Sequence, residues 1–200
     1  MTLDNEWRKN PKWFELVELV KNLSYLKAKN DEFTLASGRR SSHFFDMKPL
    51  MMDPRGSLVL AELMEVYLDK MNPKFVGGLE LGAVPLTAIA ITGNAKSPKG
   101  AKRKGFMVRK EPKGRGGRKT SNPPGIEGSS LQSGGDIVIL EDVTTTGGSA
   151  IKAVQRITAE TNCKVIGVLA ILDREEGGVE AFNKAGIPFE SLLKLSDITG

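Results

Sequence analysis

Residues Ile137 to Val154 read IVILEDVTTTGGSAIKAV, and this stretch decides the fold. Ile137-Val138-Ile139-Leu140 are four consecutive apolar residues, the pattern of a strand buried on both faces of a parallel sheet. Two adjacent carboxylates, Glu141 and Asp142, stand at its end. After Val143 comes a turn of hydroxyls and glycines, Thr144-Thr145-Thr146-Gly147-Gly148-Ser149, and a helix is predicted from Ser149 to Ala159.

The same alternation continues on both sides. Downstream, Val165 to Leu172 is another nearly all-apolar strand, with Gly167 inside it. Upstream, Phe75 to Leu79 reads as a strand, Val84 to Ile91 as a helix and Phe106 to Val108 as a strand. Alternating strands and helices predict an α/β, doubly wound, mostly parallel sheet flanked by helices, with ligands bound beyond the carboxyl ends of the strands.

Before this core, Asn10 and Pro11 form a cap and first helical position. Trp13, Leu16, Val17, Val20 and Leu23 follow at helical spacing, a face for the core or for a dimer contact. Glu32 to Lys48, EFTLASGRRSSHFFDMK, predicts short strands and a turn. Asp53-Pro54 starts a helix with Leu60, Leu63, Met64, Tyr67, Leu68 and Met71 on one face, ended by Pro73. Asn94 to Lys104 is basic and polar. Arg109 to Ser133 is a long stretch rich in Gly, Pro, Ser and cations, too long to be an idle connection in a compact domain.

The 200 residues, 40% of them hydrophobic, suit one globular domain with its own core. Cys163 is the only cysteine and His43 the only histidine, so neither an internal disulfide nor a structural zinc site can form, and a reducing cytoplasm is the expected compartment. The N-terminus lacks the apolar run of a signal peptide, and no stretch approaches the roughly 20 apolar residues of a membrane span. The net charge of +5 would attract a nucleic acid, an anionic surface or a small polyanion, and composition does not choose among them.

The turn after Leu140 carries the chemistry. Gly147 and Gly148 allow a tight bend whose backbone N–H groups face an anion, the following helix adds the positive end of its dipole, and Thr144, Thr145, Thr146 and Ser149 add hydroxyls. Such a cradle suits a phosphate monoester. Glu141 and Asp142 would repel phosphate but accept hydrogen bonds from vicinal hydroxyls, and their charge suits a cationic sugar carbon. Diol and phosphate together describe a ribose 5-phosphate. Gly-Gly and Thr alone would also suit an ordinary turn between strand and helix; two acids, three Thr, two Gly and a Ser in this order after a buried strand are much more specific.

This segment resembles the phosphoribosyl pyrophosphate (PRPP) motif of the type I phosphoribosyltransferases. Other segments narrow the resemblance to the orotate phosphoribosyltransferases: FTLASGRRSSHFFDMKP, GGLELGAVPL (77 to 86), FMVRKEPKG (106 to 114), LDREEGG (172 to 178) and AGIPFESLLKLSDI, in family order. The resemblance implies the type I phosphoribosyltransferase fold in one domain. A small hood would comprise mainly 1–50 and the C-terminal end, the core about 55–175, and a mobile loop about 110–130. It implies transfer of the phosphoribosyl group of PRPP to orotate in pyrimidine (UMP) biosynthesis. Magnesium would be carried by the substrate rather than by protein ligands.

By the same resemblance Arg109, Lys110 and Lys113 would hold pyrophosphate, Lys113 also stabilising the transition state from a loop shared across a homodimer. Glu141, Asp142, Val143, Thr144, Thr145, Thr146, Gly147, Gly148 and Ser149 would hold PRPP, with Asp142 catalytic beside Lys113. Arg174, Thr145, Phe44 and Phe45 would contact orotate, although an ion pair with Glu175 or Glu176 is the plainer reading of Arg174, and core packing that of the two rings. The chain departs from the family at Arg115, where a His is usual. Arginine neutralises phosphate charge but does not readily donate a proton, and Arg118 and Lys119 extend a longer loop. Ala36 and Gly82 stand where some relatives carry cations, so no side-chain phosphate contact is expected from them. His43 is expected to be a surface or hood residue rather than a catalyst, Cys163 to be structural, and Trp7 and Trp13 to pack.

Two rivals stay open. One is a phosphoribosyltransferase for another base, which the motif from Glu141 to Ser149 does not exclude. The other is a PRPP-sensing nucleic-acid-binding regulator, motivated by the basic segments, although no helix-turn-helix or aromatic RNA-binding motif is visible.

Overall fold

Asn10 accepts a hydrogen bond from Lys12 N at 3.0 Å and Pro11 takes the first helical position, so the chain enters its first long helix already capped. In this computed structural model, which describes residues 6–28, 33–34, 40–95, 103–111 and 120–200, that helix is α1, Pro11–Leu23. A 3-10 turn, Glu6–Lys9, precedes it and buries Trp7 edge-on against Tyr67. Four short strands follow: β1 (Tyr25–Lys27), β2 (Phe33–Thr34), β3 (Arg40–Ser41) and β4 (His43–Phe45). β1 pairs antiparallel with β4, and β2 with β3.

A short helix α2 (Lys48–Met51) leads to α3 (Pro54–Met71). Asp53 caps α3 by accepting hydrogen bonds from the backbone N–H groups of Arg55 and Gly56, both at 2.8 Å. At the far end Asn72 turns left-handed and Pro73 prevents continuation. The face predicted from the sequence is buried: Leu60, Leu63, Met64, Tyr67 and Leu68 are at most 1% exposed. Burying each such side chain stabilises the fold by roughly 1.5–3 kcal/mol before conformational entropy is counted.

The core sheet uses β5 (Phe75–Leu79), β6 (Lys104–Val108), β7 (Ile126–Gly128), β8 (Gly135–Thr144), β9 (Cys163–Asp173) and β10 (Phe189–Lys194), in the spatial order β10-β9-β8-β5-β6-β7 among the described residues. All neighbours are parallel except β7, which runs antiparallel to β6 at the edge. The helices are α4 (Ala83–Ala95), α5 (Gly148–Glu160), α6 (Gly178–Lys184) and α7 (Leu195–Thr199). Strand alternation splits the apolar residues between two cores. Val76, Val138, Leu140 and Ile171 pack with α1, α3 and α4, whereas Phe75, Ile137, Ile139 and Val168 pack with α5 and α6.

The first and last described elements meet. Arg8 donates through both terminal nitrogens to Asp197, at 2.8 and 2.6 Å, and Trp13 Nε1 donates to Leu192 O at 2.9 Å. Among the described residues no helix is long and apolar enough to cross a membrane.

Several boundaries differ from the sequence expectation. β8 runs on to Thr144, so Glu141 and Asp142 lie inside the strand rather than beyond it: β9 supplies ladder partners as far as Asp173. Residues 126–128, read as part of one long loop, form β7. Its single buried apolar residue, Ile126, is too little pattern to announce a strand. The basic stretch from 94 begins inside α4, which continues to Ala95.

Candidate active site

Four loops meet at the carboxyl edge of the parallel strands: Glu80 to Gly82 after β5, Arg109 and Lys110 after β6, Thr145 to Gly147 after β8, and Arg174 after β9. The chain steps from β5 to β6 on one side and later to β8 and β9 on the other, so the strand order reverses between β5 and β8. A crevice for ligands opens at such a reversal.

Glu141 and Asp142 are consecutive on a pleated strand and project to opposite faces. Glu141 and Val143 border a cavity of about 260 Å³ walled by the turn and the start of α5. Glu141 Oε2 is buried and takes no hydrogen bond from the described residues. Burial, then the neighbouring Asp142, pushes the Glu141 carboxyl up to about 8, against the pull of Lys110. Asp142 is also raised by burial, while the backbone N–H of Val143, donating to Oδ1 at 2.9 Å, and the charge of Lys48 oppose the shift. The sequence suggested one doubly negative pair. The structure separates the two side chains, and burial lifts the Glu141 carboxyl well above the usual carboxylate range.

The turn itself is arranged to meet an anion. Gly147 is left-handed at φ 76°, and no side chain caps α5, so the first-turn N–H groups of that helix remain for a ligand. Thr146, Gly148 and Ser149 are exposed, Thr145 is half-buried, and Thr144 is 2% exposed with its Oγ1 unpartnered among the described residues. All of them line the cavity with Gly147.

Cations flank it. The exposed Lys110 acts on Glu141, and its backbone N–H donates to Glu80 Oε1 at 2.8 Å. Arg109 stands 3.5 Å from Glu127 and 3.8 Å from Glu80. Lys113, Arg115, Arg118 and Lys119 lie outside the described residues, as do Ala36 and Arg39. Lys48 pairs with Asp46 at 2.6 Å, and Arg40 is exposed on β3.

Arg174 is only 3% exposed. Its Nη2 donates to Ser41 Oγ at 2.9 Å and to His43 O at 3.1 Å. Nε lies 2.9 Å from Glu176 Oε1, an ion pair without an aligned hydrogen bond. The guanidinium therefore sits in the joint between the N-terminal strands and β9. Phe44 and Phe45 do not form one aromatic wall, because the pleat turns them to opposite faces. Phe45 is 7% exposed, stacks on Tyr25 and belongs to the core, with Arg174 5.8 Å from its ring. Phe44 is half-buried against Phe33 and is the ring left for a planar ligand. His43 is structural: its Nδ1 shares a hydrogen bond with Tyr25 OH at 2.7 Å.

Sequence reasoning missed Glu80 and Ser41, whereas the pairing of Arg174 with Glu176 was among its readings. Each of the two missed is an ordinary polar residue in a loop or edge strand, and only the fold brings it to Lys110 or Arg174.

A scan against protein-family models finds no match. Curated relatives do match. The chain is 45% identical over 183 residues to the orotate phosphoribosyltransferase of Rhodopseudomonas palustris (strain BisB5), covering 91% of this chain and 93% of that one. Among solved structures, the Mycobacterium tuberculosis orotate phosphoribosyltransferase in complex with Fe(III) dicitrate has a TM-score of 0.76 and 31% identity, covering 95% of this chain and 100% of that one. The same enzyme in complex with 5-phospho-α-D-ribosyl 1-diphosphate has a TM-score of 0.71 and 31% identity, covering 94% and 99%. The architecture is thus the type I phosphoribosyltransferase fold, and the identity over nearly the whole length shows that the chain belongs to the orotate phosphoribosyltransferase family.

Proposed function

We propose that the chain transfers the phosphoribosyl group of PRPP to orotate, giving orotidine 5′-monophosphate and pyrophosphate for pyrimidine nucleotide synthesis in the cytoplasm. One observation carries the reading at the level of the site: a helix start without a side-chain cap and a buried Glu141 oxygen without a hydrogen-bond partner among the described residues border the same cavity of about 260 Å³. The helix start suits the 5-phosphate. Glu141 and Asp142 suit the ribose hydroxyls from either side of β8. With its proton on, Glu141 can donate a hydrogen bond as well as accept one.

Orotate nitrogen attacks the anomeric carbon and gives up its N–H proton to solvent or the departing pyrophosphate, the bond from that carbon to pyrophosphate breaks, and pyrophosphate leaves with the electron pair. Arg109 and Lys110, joined by Lys113 and Arg115, hold the pyrophosphate oxygens as charge gathers there. Arg174 takes the orotate carboxylate, while Thr145 and Phe44 border the ring. Magnesium, when bound, would be held chiefly by substrate oxygens and would neutralise pyrophosphate charge; the Asp142 carboxylate is the hard oxygen donor that the protein could add at this edge. The working unit is a homodimer in which Lys113 serves the partner's site.

Loss of orotate absorbance in the presence of PRPP and magnesium tests the proposal. Depletion of orotate supports it. Turnover of a purine base in its place, with orotate untouched, rejects it.

A further inference from the structure

Arg156, on the solvent side of α5, is engaged along its whole guanidinium. Its Nη1 donates to Arg109 O at 3.0 Å, its Nη2 donates to Pro124 O, and its Nε donates to Glu160 Oε1 at 3.1 Å. Arg109 stands immediately after β6 and Pro124 two residues before β7, so one side chain holds the chain where it leaves one strand and where it approaches the next. The backbone closes the same point, with Arg109 N donating to Gly125 O at 2.8 Å. Gly125 makes the contact possible. Its φ is +85°, and a Cβ there would stand 2.6 Å from Arg156 Nη2.

The consequence reaches the site. Arg109 and Lys110 are the two described cations assigned above to pyrophosphate. Arg156 sits on the same helix whose first turn borders the phosphate cavity, eight positions after Gly148 and thus about 12 Å along the axis. α5 in turn packs against β5, β8 and β9. The Arg156 guanidinium thus joins the Arg109 carbonyl, at the end of β6, directly to that helix, while the backbone hydrogen bond from Arg109 N reaches only the segment before β7.

We propose that Arg156 is a positioning residue: it ties the pyrophosphate-binding cations Arg109 and Lys110 to the helix that receives the 5-phosphate, fixing the distance between the two ends of PRPP. This rests on the reading of Arg109 and Lys110 given above. The carbonyls it holds are neutral acceptors of charged hydrogen bonds, whose loss is felt as orientation rather than as charge at the substrate.

The test is steady-state kinetics of the full-length protein carrying Arg156→Ala or Arg156→Lys, with Arg109→Ala and Lys110→Ala in parallel. Arg156→Ala should raise KM for PRPP and the inhibition constant of pyrophosphate together, by about tenfold, while KM for orotate holds. Lysine gathers its donors on one nitrogen and lacks the planar fork that spans the two carbonyls, so Arg156→Lys should fall between. It also provides a folded comparison should the alanine variant unfold. Unchanged PRPP and pyrophosphate constants in folded Arg156→Lys and Arg156→Ala, or an equal rise in KM for both substrates, overturns the proposal. If Arg109→Ala and Lys110→Ala leave pyrophosphate inhibition untouched, the assignment of those cations fails instead, whatever Arg156 does.

Discussion

Gly82 lies directly against the carboxylate of Asp142. A Cβ built on it would stand 2.3 Å from the Asp142 carboxyl carbon. The two residues face each other across the gap between β5 and β8, where the strand order reverses, so the missing side chain is what lets the loop after β5 close on the acid. No left-handed backbone is required at Gly82; close approach alone selects glycine there. Gly82→Ala should push the Asp142 side chain aside, raising KM for PRPP by roughly three- to tenfold, with little loss of stability because a rotatable carboxylate absorbs the collision. Kinetics and a melting curve on one preparation check both halves. A large fall in melting temperature with normal KM would contradict the explanation.

Glu141 gives a pH signature. Its folded pKa, about 8, lies above the ordinary 4.5, so the folded state keeps a proton that the unfolded state releases. The contribution of this group to stability is complete below about pH 4.5 and is lost as the pH rises towards 8. Glu141→Gln removes the titration. Between these limits the variant should gain on the parent by up to about 1.4 kcal/mol per pH unit, levelling off above pH 8. Urea midpoints of both proteins from pH 5 to 9 measure the difference. Parallel curves would show that Glu141 titrates normally.

Ser41 holds a residue assigned to orotate. Its Oγ accepts a hydrogen bond from Arg174 Nη2 at 2.9 Å and another from His43 N at 3.1 Å. Ser41→Ala should loosen the guanidinium and raise KM for orotate by about tenfold without changing KM for PRPP. Threonine at the position should restore most of the loss. Equal effects on both substrates would place Ser41 in general packing.

Much of the core was legible because its residues act through pattern. Ile137 to Leu140 advertises burial on both faces, and Asp53-Pro54 with Asn72-Pro73 brackets α3 by local chemistry that later packing does not override. The turn from Thr144 to Ser149 was legible for the same reason: glycines, hydroxyls and a helix start are contiguous. Other features depend on long-range placement. β7 and β10 are edge strands whose short or mixed sequences lack alternation, and Phe44-Phe45 looks like a pair until the pleat separates it. The raised pKa of Glu141 comes chiefly from its burial in the folded chain, which the sequence around it does not display. Arg156 reads as an ordinary solvated helix charge until Arg109 and Pro124 are brought to it.

Stability far from the chemistry rests on another buried charge. Arg103, 3% exposed by side chain, places Nη1 2.7 Å from Glu65 and Nη2 3.6 Å from Asp69, joining the start of β6 to α3. Arg103→Ala would leave Glu65 without this partner and should cost about 3–5 kcal/mol, seen as a drop in the urea midpoint. KM values should stay near those of the parent, since the pair is remote from the carboxyl edge of the sheet. A drop below 1 kcal/mol would mean that solvent already screens the pair.

The central claim is that the turn Thr144 to Ser149 takes the 5-phosphate of PRPP while Glu141 and Asp142 take its ribose hydroxyls. A crystal structure of the protein with PRPP and magnesium measures this directly. The expected density places the phosphate in the cavity at the start of α5, within about 3 Å of backbone N–H groups of that turn, with both carboxylates beside the sugar. A phosphate bound at any other place, or a sugar turned away from Glu141 and Asp142, would contradict it.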